Sequence, residues 1–347
     1  RAERDGDATL SRSLKGASTL QDLHPDLLRS LSKQGLIPVE IPDIGVAAVG
    51  DSLTREQIAD FVADCTKFAS VFGKMSGPSS KLPVRDIDLV PGYVPPKVRF
   101  SAKNNPLNEE VLRLNMKKGM LALWDQKVLG TSRWFLTRKP GHPTNDVRGW
   151  RLVADIGVNK GVVKDSYPLA SPMSCAAQLA RSRFFFKTDI ADAYGQFPLS
   201  EKAKAMVCLL TKLGTLTFTG QPNGLKNSQS HTLRALTLKV FPECISTGLI
   251  LYVDNMAQGA LDVTTLRSHF ISVLAKCAEF GLKLNIGDTV FGAEKLEFLG
   301  FEITEGQYGP SSSHHTAITQ MPLPKTQKDL RSFLAAVVLY KSFVPNF

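Results

Sequence analysis

Two apolar, strand-like runs each drive into a carboxylate: RFFFKTDIADAYGQFPL delivers Asp189, and LILYVDN delivers Asp254 followed by Asn255. Aromatic and β-branched residues in short runs favour strands, and strand ends are rigid. If the two strands are neighbours in one sheet, both carboxylates project from one edge, where hard oxygen ligands suit Mg²⁺. A single aspartate at a strand end is an ordinary turn residue or cap, so the pair needs corroboration from the rest of the chain.

Composition narrows the field. With 43% hydrophobic residues in 347 the chain can bury a sizeable core, and no apolar run approaches the ~18 residues of a membrane helix. The net charge of +10 favours a polyanionic partner. The excess is uneven: Lys97, Arg99, Lys103, Arg113, Lys117, Lys118, Lys127, Arg133, Arg138, Lys139, Arg148 and Arg151 face only Glu109, Glu110, Asp125 and Asp146 over the same stretch. Such a patch is an electrostatic footprint for nucleic acid. Cys65, Cys175, Cys208, Cys244 and Cys277 are odd in number and scattered, which suggests neither a disulfide framework nor a metal site and points to an intracellular setting. No signal peptide is visible, and the opening on Arg1 reads as an excerpt of a longer chain.

Residues 1–80 read as a small helical extension. Its clearest element is Leu53–Phe72, where Ile58, Phe61, Cys65, Phe68 and Phe72 recur at helical spacing behind Ser52 as a start signal. Residues 81–106 are rich in Pro and extended. A helix is expected from Asn108 to about Trp124, then short strands, then helices at Ser228–Val240 and Thr264–Phe280, the latter with Leu266, Phe270, Val273, Leu274 and Cys277 on one face and Gly281 as its stop. The SSSHH at 311–315 reads as a loop.

Order supplies the corroboration. WRLVAD, with Trp150 and Arg151 ahead of Asp155 and Asn159, and KDSYPL precede the first aspartate; GQPNGLKNS lies between the two; GLKLN, EFLGFEI and LPKTQKDLRSFLAAVVLYKSFVPNF follow. In this order, and with DIDLVPGYVPPKVRF at its start, the chain from about Lys81 to Phe347 resembles the reverse transcriptases of retroelements. The closest likeness is to gypsy-type LTR retrotransposons with their pararetrovirus and DIRS-like (tyrosine-recombinase) relatives.

That resemblance implies an α+β, right-hand polymerase fold. The helical segment 1–80 would precede fingers and a ferredoxin-like palm sheet over 81–323, and a partial thumb would begin at 324–347. It implies RNA-directed DNA synthesis on an RNA or DNA template with primer and dNTP, no membrane, and a cytoplasmic (virus-like particle) or nuclear location. Asp189 and Asp254 would hold two Mg²⁺ ions, with the backbone of Ile190 as a further ligand and Mn²⁺ as an alternative ion. The main chain at Asp192 and Ala193 would meet the triphosphate, and Tyr194 occupies the position of a steric gate against a ribose 2′ hydroxyl. Arg151 matches the fingers arginine on the incoming nucleotide, Lys139 or its neighbour Arg138 the basic residue over the γ-phosphate, and Asn223 and Gly224 the loop beneath the nucleotide. Phe298, Leu299 and Gly300 fall in the hairpin that holds the primer end.

The chain also departs from the pattern. Asn255 stands where the family has a second aspartate of the turn, which keeps the shape but removes one of three negative charges. Three readings are open: activity retained, with a preference for Mn²⁺; an engineered isostere; or an inactive descendant serving as a nucleic-acid-binding scaffold. Persistence of the aspartates, the arginine and the gate position favours an enzyme. DIGVN is one residue short of the usual pattern and has Gly157 in place of its arginine, and Asn223 replaces a more common Gln or Phe. A metal-dependent nuclease would leave the gate and fingers positions without purpose.

Overall fold

The computed structural model describes residues 14, 16–73, 75–98, 106–138, 146–344 and 346. The regular elements, in chain order, begin with Pro25–Lys33 (α1), Leu36–Ile41 (β1), Gly45–Gly50 (β2), Arg55–Lys67 (α2), Pro106–Lys117 (α3), Leu121–Leu123 (β3), Thr131–Arg138 (β4) and Trp150–Asp155 (β5). There follow Pro172–Leu179 (α4), Phe184–Asp189 (β6), Glu201–Met206 (α5), Cys208–Thr211 (β7), Gly214–Phe218 (β8), Ser228–Ala235 (α6) and Pro242–Ser246 (α7). The last third holds Ile250–Tyr252 (β9), Asn255–Ala260 (β10), Val263–Phe280 (α8), Val290–Ala293 (β11), Leu296–Phe298 (β12), Phe301–Thr304 (β13), Gln307–Pro310 (β14), Ser312–Thr319 (α9) and Gln327–Val338 (α10).

Three sheets organise the molecule. The central sheet has the order β1-β2-β11-β6-β10-β9, antiparallel throughout except for the β2–β11 pair. An outer sheet, β3-β8-β7-β4-β5, is built from the basic region and the segment after β6, and a small third sheet runs β12-β13-β14. Behind the central sheet, α2 and α8 meet through aromatic packing. Phe61 of α2 stacks on Phe291 of β11 at 5.0 Å, and Phe270 of α8 meets Phe186 of β6 edge-on at 5.3 Å. All four rings are almost fully buried, each contributing about 1.5–3 kcal/mol through removal from water. Arg267 of α8 adds a bond from Nε to Asp64 of α2 at 2.6 Å.

Helix α8 buries Leu266, Phe270, Val273, Leu274 and Cys277 as the spacing predicts, and ends at Gly281 with φ 68°. Other expectations need correction. Residues 1–80 are not purely helical, because Leu36–Ile41 and Gly45–Gly50 pair as an antiparallel hairpin that joins the central sheet through β11. Val46, Ala47, Ala48 and Val49 are all 0% exposed. A strand covered on both faces loses the alternation that marks half-buried strands and reads as a plain apolar run. The helix expected over 53–72 is α2 followed by a 3₁₀ turn at Ala69–Phe72, and its cap is Thr54, which exchanges bonds with Gln57, rather than Ser52.

The helix expected to reach Trp124 stops at Lys117, with Gly119 at φ 67° and a strand at 121–123. The Ser228–Val240 helix loosens into a π turn at Leu236–Val240. SSSHH is no loop: Ser311 caps α9, accepting from the His314 backbone N–H. At the expected thumb, Thr326 caps α10, a helix that buries none of its residues.

Candidate active site

The β9–β10 hairpin turns in two residues, since Asn255 pairs with Tyr252 across it. Val253 takes φ 60° to make the turn, a conformation that strains a β-branched residue by about 1–3 kcal/mol. On its other side β10 pairs with β6 so that Asn255 lies directly opposite Asp189. The Ile190 N–H donates to the Asp254 carbonyl at 2.9 Å, so the tips of the two strands are tied by main chain and Asp189 and Asp254 share one sheet edge.

Each carboxylate is also held by a carboxamide. Asn285 Nδ2 donates to Asp189 Oδ2 at 2.7 Å, and the Asn285 backbone N–H donates to the Asp189 carbonyl at 2.9 Å. Asn255 Nδ2 donates to Asp254 Oδ1 at 3.0 Å. Asn285 ends the GLKLN segment, which sequence reasoning noted without giving the residue a task.

The chain beyond Asp189 turns sharply. Asp192 is exposed with φ 45° and ψ 52°, and opens a 3₁₀ turn at Ala193–Gln196. The turn is pinned by Gln196, 1% exposed: its Nε2 donates to the carbonyls of Ala191 at 2.5 Å and Lys283 at 3.0 Å, and its Oε1 accepts from the Lys283 N–H at 2.7 Å. Gln196 was missed, its signal being only a polar residue between Gly195 and Phe197. Ala193 is buried and Tyr194 half-buried. Burial, and secondarily the Asp254 charge, raise the Tyr194 hydroxyl above its usual pKa, so the phenol stays neutral beside the carboxylates.

Facing the sheet edge is the β12–β13 hairpin. Its turn residues Leu299 and Gly300 have φ 52° and 84°, the double positive φ of a tight two-residue turn. Lys187 Nζ on β6 donates to the Glu297 carbonyl at 2.9 Å, and the Tyr340 hydroxyl donates to the Gly300 carbonyl at 3.0 Å. A cavity of about 450 Å³ opens between the elements, lined by Asp189, Asp254, Asn255, Phe298, Leu299 and Gly300 together with Leu31 and Leu36 of the N-terminal segment.

Ile190, Arg151, Asp192, Ala193, Tyr194, Asn223 and Gly224 do not line this cavity. Arg151 is exposed on β5, opposite Thr137 of β4. Asn223 and Gly224 are exposed at the tip of a loop that Asn159 grips, donating through Nδ2 to the Gly224 carbonyl at 2.8 Å and accepting at Oδ1 from the Lys226 N–H at 2.8 Å. Lys139 lies outside the described residues.

Among the described residues no three His, Cys, Asp or Glu side chains gather closely enough to cage a metal ion. Two carboxylates on a rigid edge nonetheless fit Mg²⁺, which keeps several waters and is bound through one or two carboxylates plus substrate phosphates. They fit a site completed by a phosphate-bearing substrate.

Residues 138–303 match the family model for "Reverse transcriptase (RNA-dependent DNA polymerase)". The chain is 28% identical over 213 residues to the retrovirus-related Pol polyprotein from transposon 412 of Drosophila melanogaster, covering 61% of this chain and 17% of that protein. It is 26% identical over 269 residues to that from transposon gypsy of the same organism, covering 76% and 25%. The chain thus spans a quarter or less of these relatives. Among solved structures it resembles the foamy viral protease-reverse transcriptase in complex with double-stranded DNA, at a TM-score of 0.74, 18% identity and coverage of 95% of this chain and 54% of that one. The same viral protein with an RNA/DNA hybrid aligns at 0.71 and 18% identity, covering 93% and 41%. These likenesses establish the right-hand polymerase fold. No helix of the described residues is long and apolar enough to cross a membrane.

Proposed function

We infer that this chain, which belongs to the retroelement reverse transcriptases through residues 138–303, extends a primer on an RNA or DNA template with deoxynucleotides. The observation that carries this reading is the β6–β10 register, which sets Asn255 opposite Asp189 and, with the Ile190–Asp254 main-chain bond, brings both aspartates to one edge of a groove walled by the β12–β13 hairpin. The solved foamy viral relatives hold double-stranded DNA or an RNA/DNA hybrid, the class of ligand that the basic outer sheet favours here.

Asp189 and Asp254 would hold two divalent cations, with the Ile190 carbonyl as a further ligand; when bound, such ions lower the pKa of a primer hydroxyl and offset charge on a triphosphate. The protein's own residues do the rest. Asn285 and Asn255 fix the orientation of the two carboxylates, so that little reorganisation is needed when substrate arrives. The 3₁₀ turn at Ala193–Gln196 presents the N–H groups at Asp192 and Ala193 to the triphosphate, and the neutral ring of Tyr194 occupies the space of a 2′ hydroxyl. Arg151, with its planar fork of donors, would meet the nucleotide phosphates from the outer sheet. Asn223 and Gly224 form the shelf beneath the nucleotide, and Phe298, Leu299 and Gly300 hold the primer end.

Primer extension on poly(rA)/oligo(dT) with dTTP, in Mg²⁺ and then in Mn²⁺, tests the reading. Product is expected with at least one ion and none from Asp189→Asn or Asp254→Asn. Duplex binding without extension under either ion would instead establish a scaffold, and strand cleavage would establish a nuclease.

A further inference from the structure

The loop carrying Asn223 and Gly224 is exposed at its tip and fixed at its base by a buried cation from far upstream. Arg85 belongs to the extended segment before α3 and is 3% exposed. Its backbone is built into the fold: the N–H donates to the Pro198 carbonyl and the carbonyl accepts from the Ser200 N–H, each at 2.8 Å. Its guanidinium Nη1 donates to Gln221 Oε1 at 2.6 Å and to Ser228 Oγ at 2.9 Å, and Nη2 donates to the Lys226 carbonyl. Gln221 stands immediately before Pro222-Asn223-Gly224-Leu225, while Lys226 stands immediately after and Ser228 two residues further on. One side chain therefore clamps both ends of the loop.

A guanidinium in such a place is costly. Burying a charge carries a penalty of several kcal/mol, and well-packed apolar replacements of buried ionic groups are often neutral or stabilising. The environment registers this cost: burial pulls the Arg85 pKa down to about 10, with Asp165 and Asp88 acting in the opposite direction. The three acceptors that receive its hydrogen bonds are two side-chain oxygens and a carbonyl, all neutral. Beside it His231, bonded to Gln221 Nε2 at 2.9 Å, is driven down to about 4 by burial and by the Arg85 and Arg234 charges, so it remains a neutral partner near pH 7. A cation held by neutral acceptors on both flanks of one loop is suited to setting that loop's shape, because its rigid planar fork reaches three oxygens in one geometry.

The geometry points to Arg85 as a positioning residue for the incoming nucleotide: it acts through Gln221, Lys226 and Ser228 to hold the Asn223–Gly224 tip at the height at which it meets the sugar and base. This rests on the reading of the chain as a polymerase. Arg85 touches no substrate. Its loss is expected to appear as weaker nucleotide use, since displacement of a substrate-positioning element by about 1 Å can cost up to ~100-fold, while the aspartates and the duplex surface stay in place.

The test uses Arg85→Met and Arg85→Lys in the full 347-residue chain. The KM for dTTP on poly(rA)/oligo(dT) should rise between about 10- and 100-fold in Arg85→Met with kcat changed far less, and duplex affinity should match the unsubstituted chain. Arg85→Lys should fall between the two, because an ammonium keeps the charge and loses the fork. In the free protein, amide hydrogen exchange at residues 223–226 should quicken in Arg85→Met while that of α8 does not. Should Arg85→Met fail to fold, Ser228→Ala, which removes one of the three acceptors, carries both measurements with a smaller effect of the same sign. A folded variant with unchanged KM or unchanged loop exchange overturns the assignment. If the unsubstituted chain extends no primer, the polymerase reading falls, and the exchange measurement still decides whether Arg85 fixes the loop.

Discussion

Replacing Asn255 by Asp perturbs the site at the position that departs from the expected pattern of carboxylates. Asn255 Nδ2 now donates to Asp254 Oδ1 at 3.0 Å, so an aspartate at 255 loses this bond and sets a like charge at nearly the same separation. Two unit charges about 4 Å apart at an effective dielectric constant of about 20 repel by about 4 kcal/mol. The residues are half-buried, and water entering the groove halves this to about 2 kcal/mol, so the variant is expected to be less stable than the unsubstituted chain in a chelator. A dication ligated by the neighbouring carboxylate carries twice the charge. Its added attraction at comparable separation is therefore about 4 kcal/mol after the same screening, which outweighs the repulsion. The Mg²⁺ affinity should rise between ~30-fold, if half of that attraction is realised, and ~1,000-fold if all of it is. Thermal unfolding at stepped Mg²⁺ concentrations measures both effects: the two melting curves should cross, the variant melting lower without metal and higher with it. Primer extension at limiting Mg²⁺ should rise in parallel. A Mg²⁺ midpoint shifted by less than about threefold, with unfolding in chelator unchanged, would refute the claim that this edge is where cations bind.

Two further outcomes follow from the same contacts. His231 has a folded-state pKa of about 4 against an ordinary 6.5, caused by burial and then by Arg85 and Arg234; the unfolded chain takes up the proton first, so stability is complete above about pH 6.5 and is lost as pH falls from there towards 4. Urea midpoints at pH 7 and pH 5 should show that loss, and His231→Gln should flatten it. Gly220→Ala would set a Cβ 2.0 Å from the Gly195 carbonyl oxygen, inside the turn that carries Tyr194. It should cost more than about 2 kcal/mol of unfolding free energy and weaken discrimination between ribo- and deoxynucleotides, measurable as paired KM values.

Elements with a clean period were legible from sequence. The five apolar positions of α8, its Gly281 stop and the two aspartates at strand ends are all where spacing puts them, because one face meets a core and the other meets water. Strand β2 was not legible, since GVAAVG lies between the α2 side of the sheet and the N-terminal cluster of Leu27, Leu31 and Leu36 and has no wet face to generate alternation. The two hairpin turns carry weak local signals, and the β12–β13 hairpin was legible only through the family resemblance. Val253 and Leu299 adopt positive φ, where turn chemistry favours Gly, Asn or Asp, so tertiary packing sets these turns against local preference. Strain of this kind gathers at functional sites because the surrounding structure must over-determine it.

The holder of Asp189 and the anchor of the turn beyond it were illegible for a further reason, which bears on how the site works. Asn285 reaches Asp189 from beyond α8, and Gln196 ties the turn after Asp189 to Lys283 of the same distant segment; no local pattern marks such pairs, since they exist only once α8 has returned the chain to the sheet edge. Their chemical type is informative all the same. A lysine or arginine at 285 could orient Asp189 equally well, but it would bring a positive charge to the place proposed for a cation and would lower the carboxylate's attraction for it. An amide supplies the hydrogen bond and leaves the charge intact. The same reasoning applies to Asn255, whose side chain orients Asp254 without adding to or cancelling its charge. The two amides thus favour the same outcome, a pair of carboxylates fixed in direction before any metal arrives. In the proposed two-cation site fewer negative charges would surround the metal than in a three-carboxylate site, leaving substrate phosphates to supply the remainder. Metal affinity in this chain should accordingly depend on bound nucleotide more steeply than in Asn255→Asp, a linkage that Mg²⁺ titrations with and without dTTP would measure.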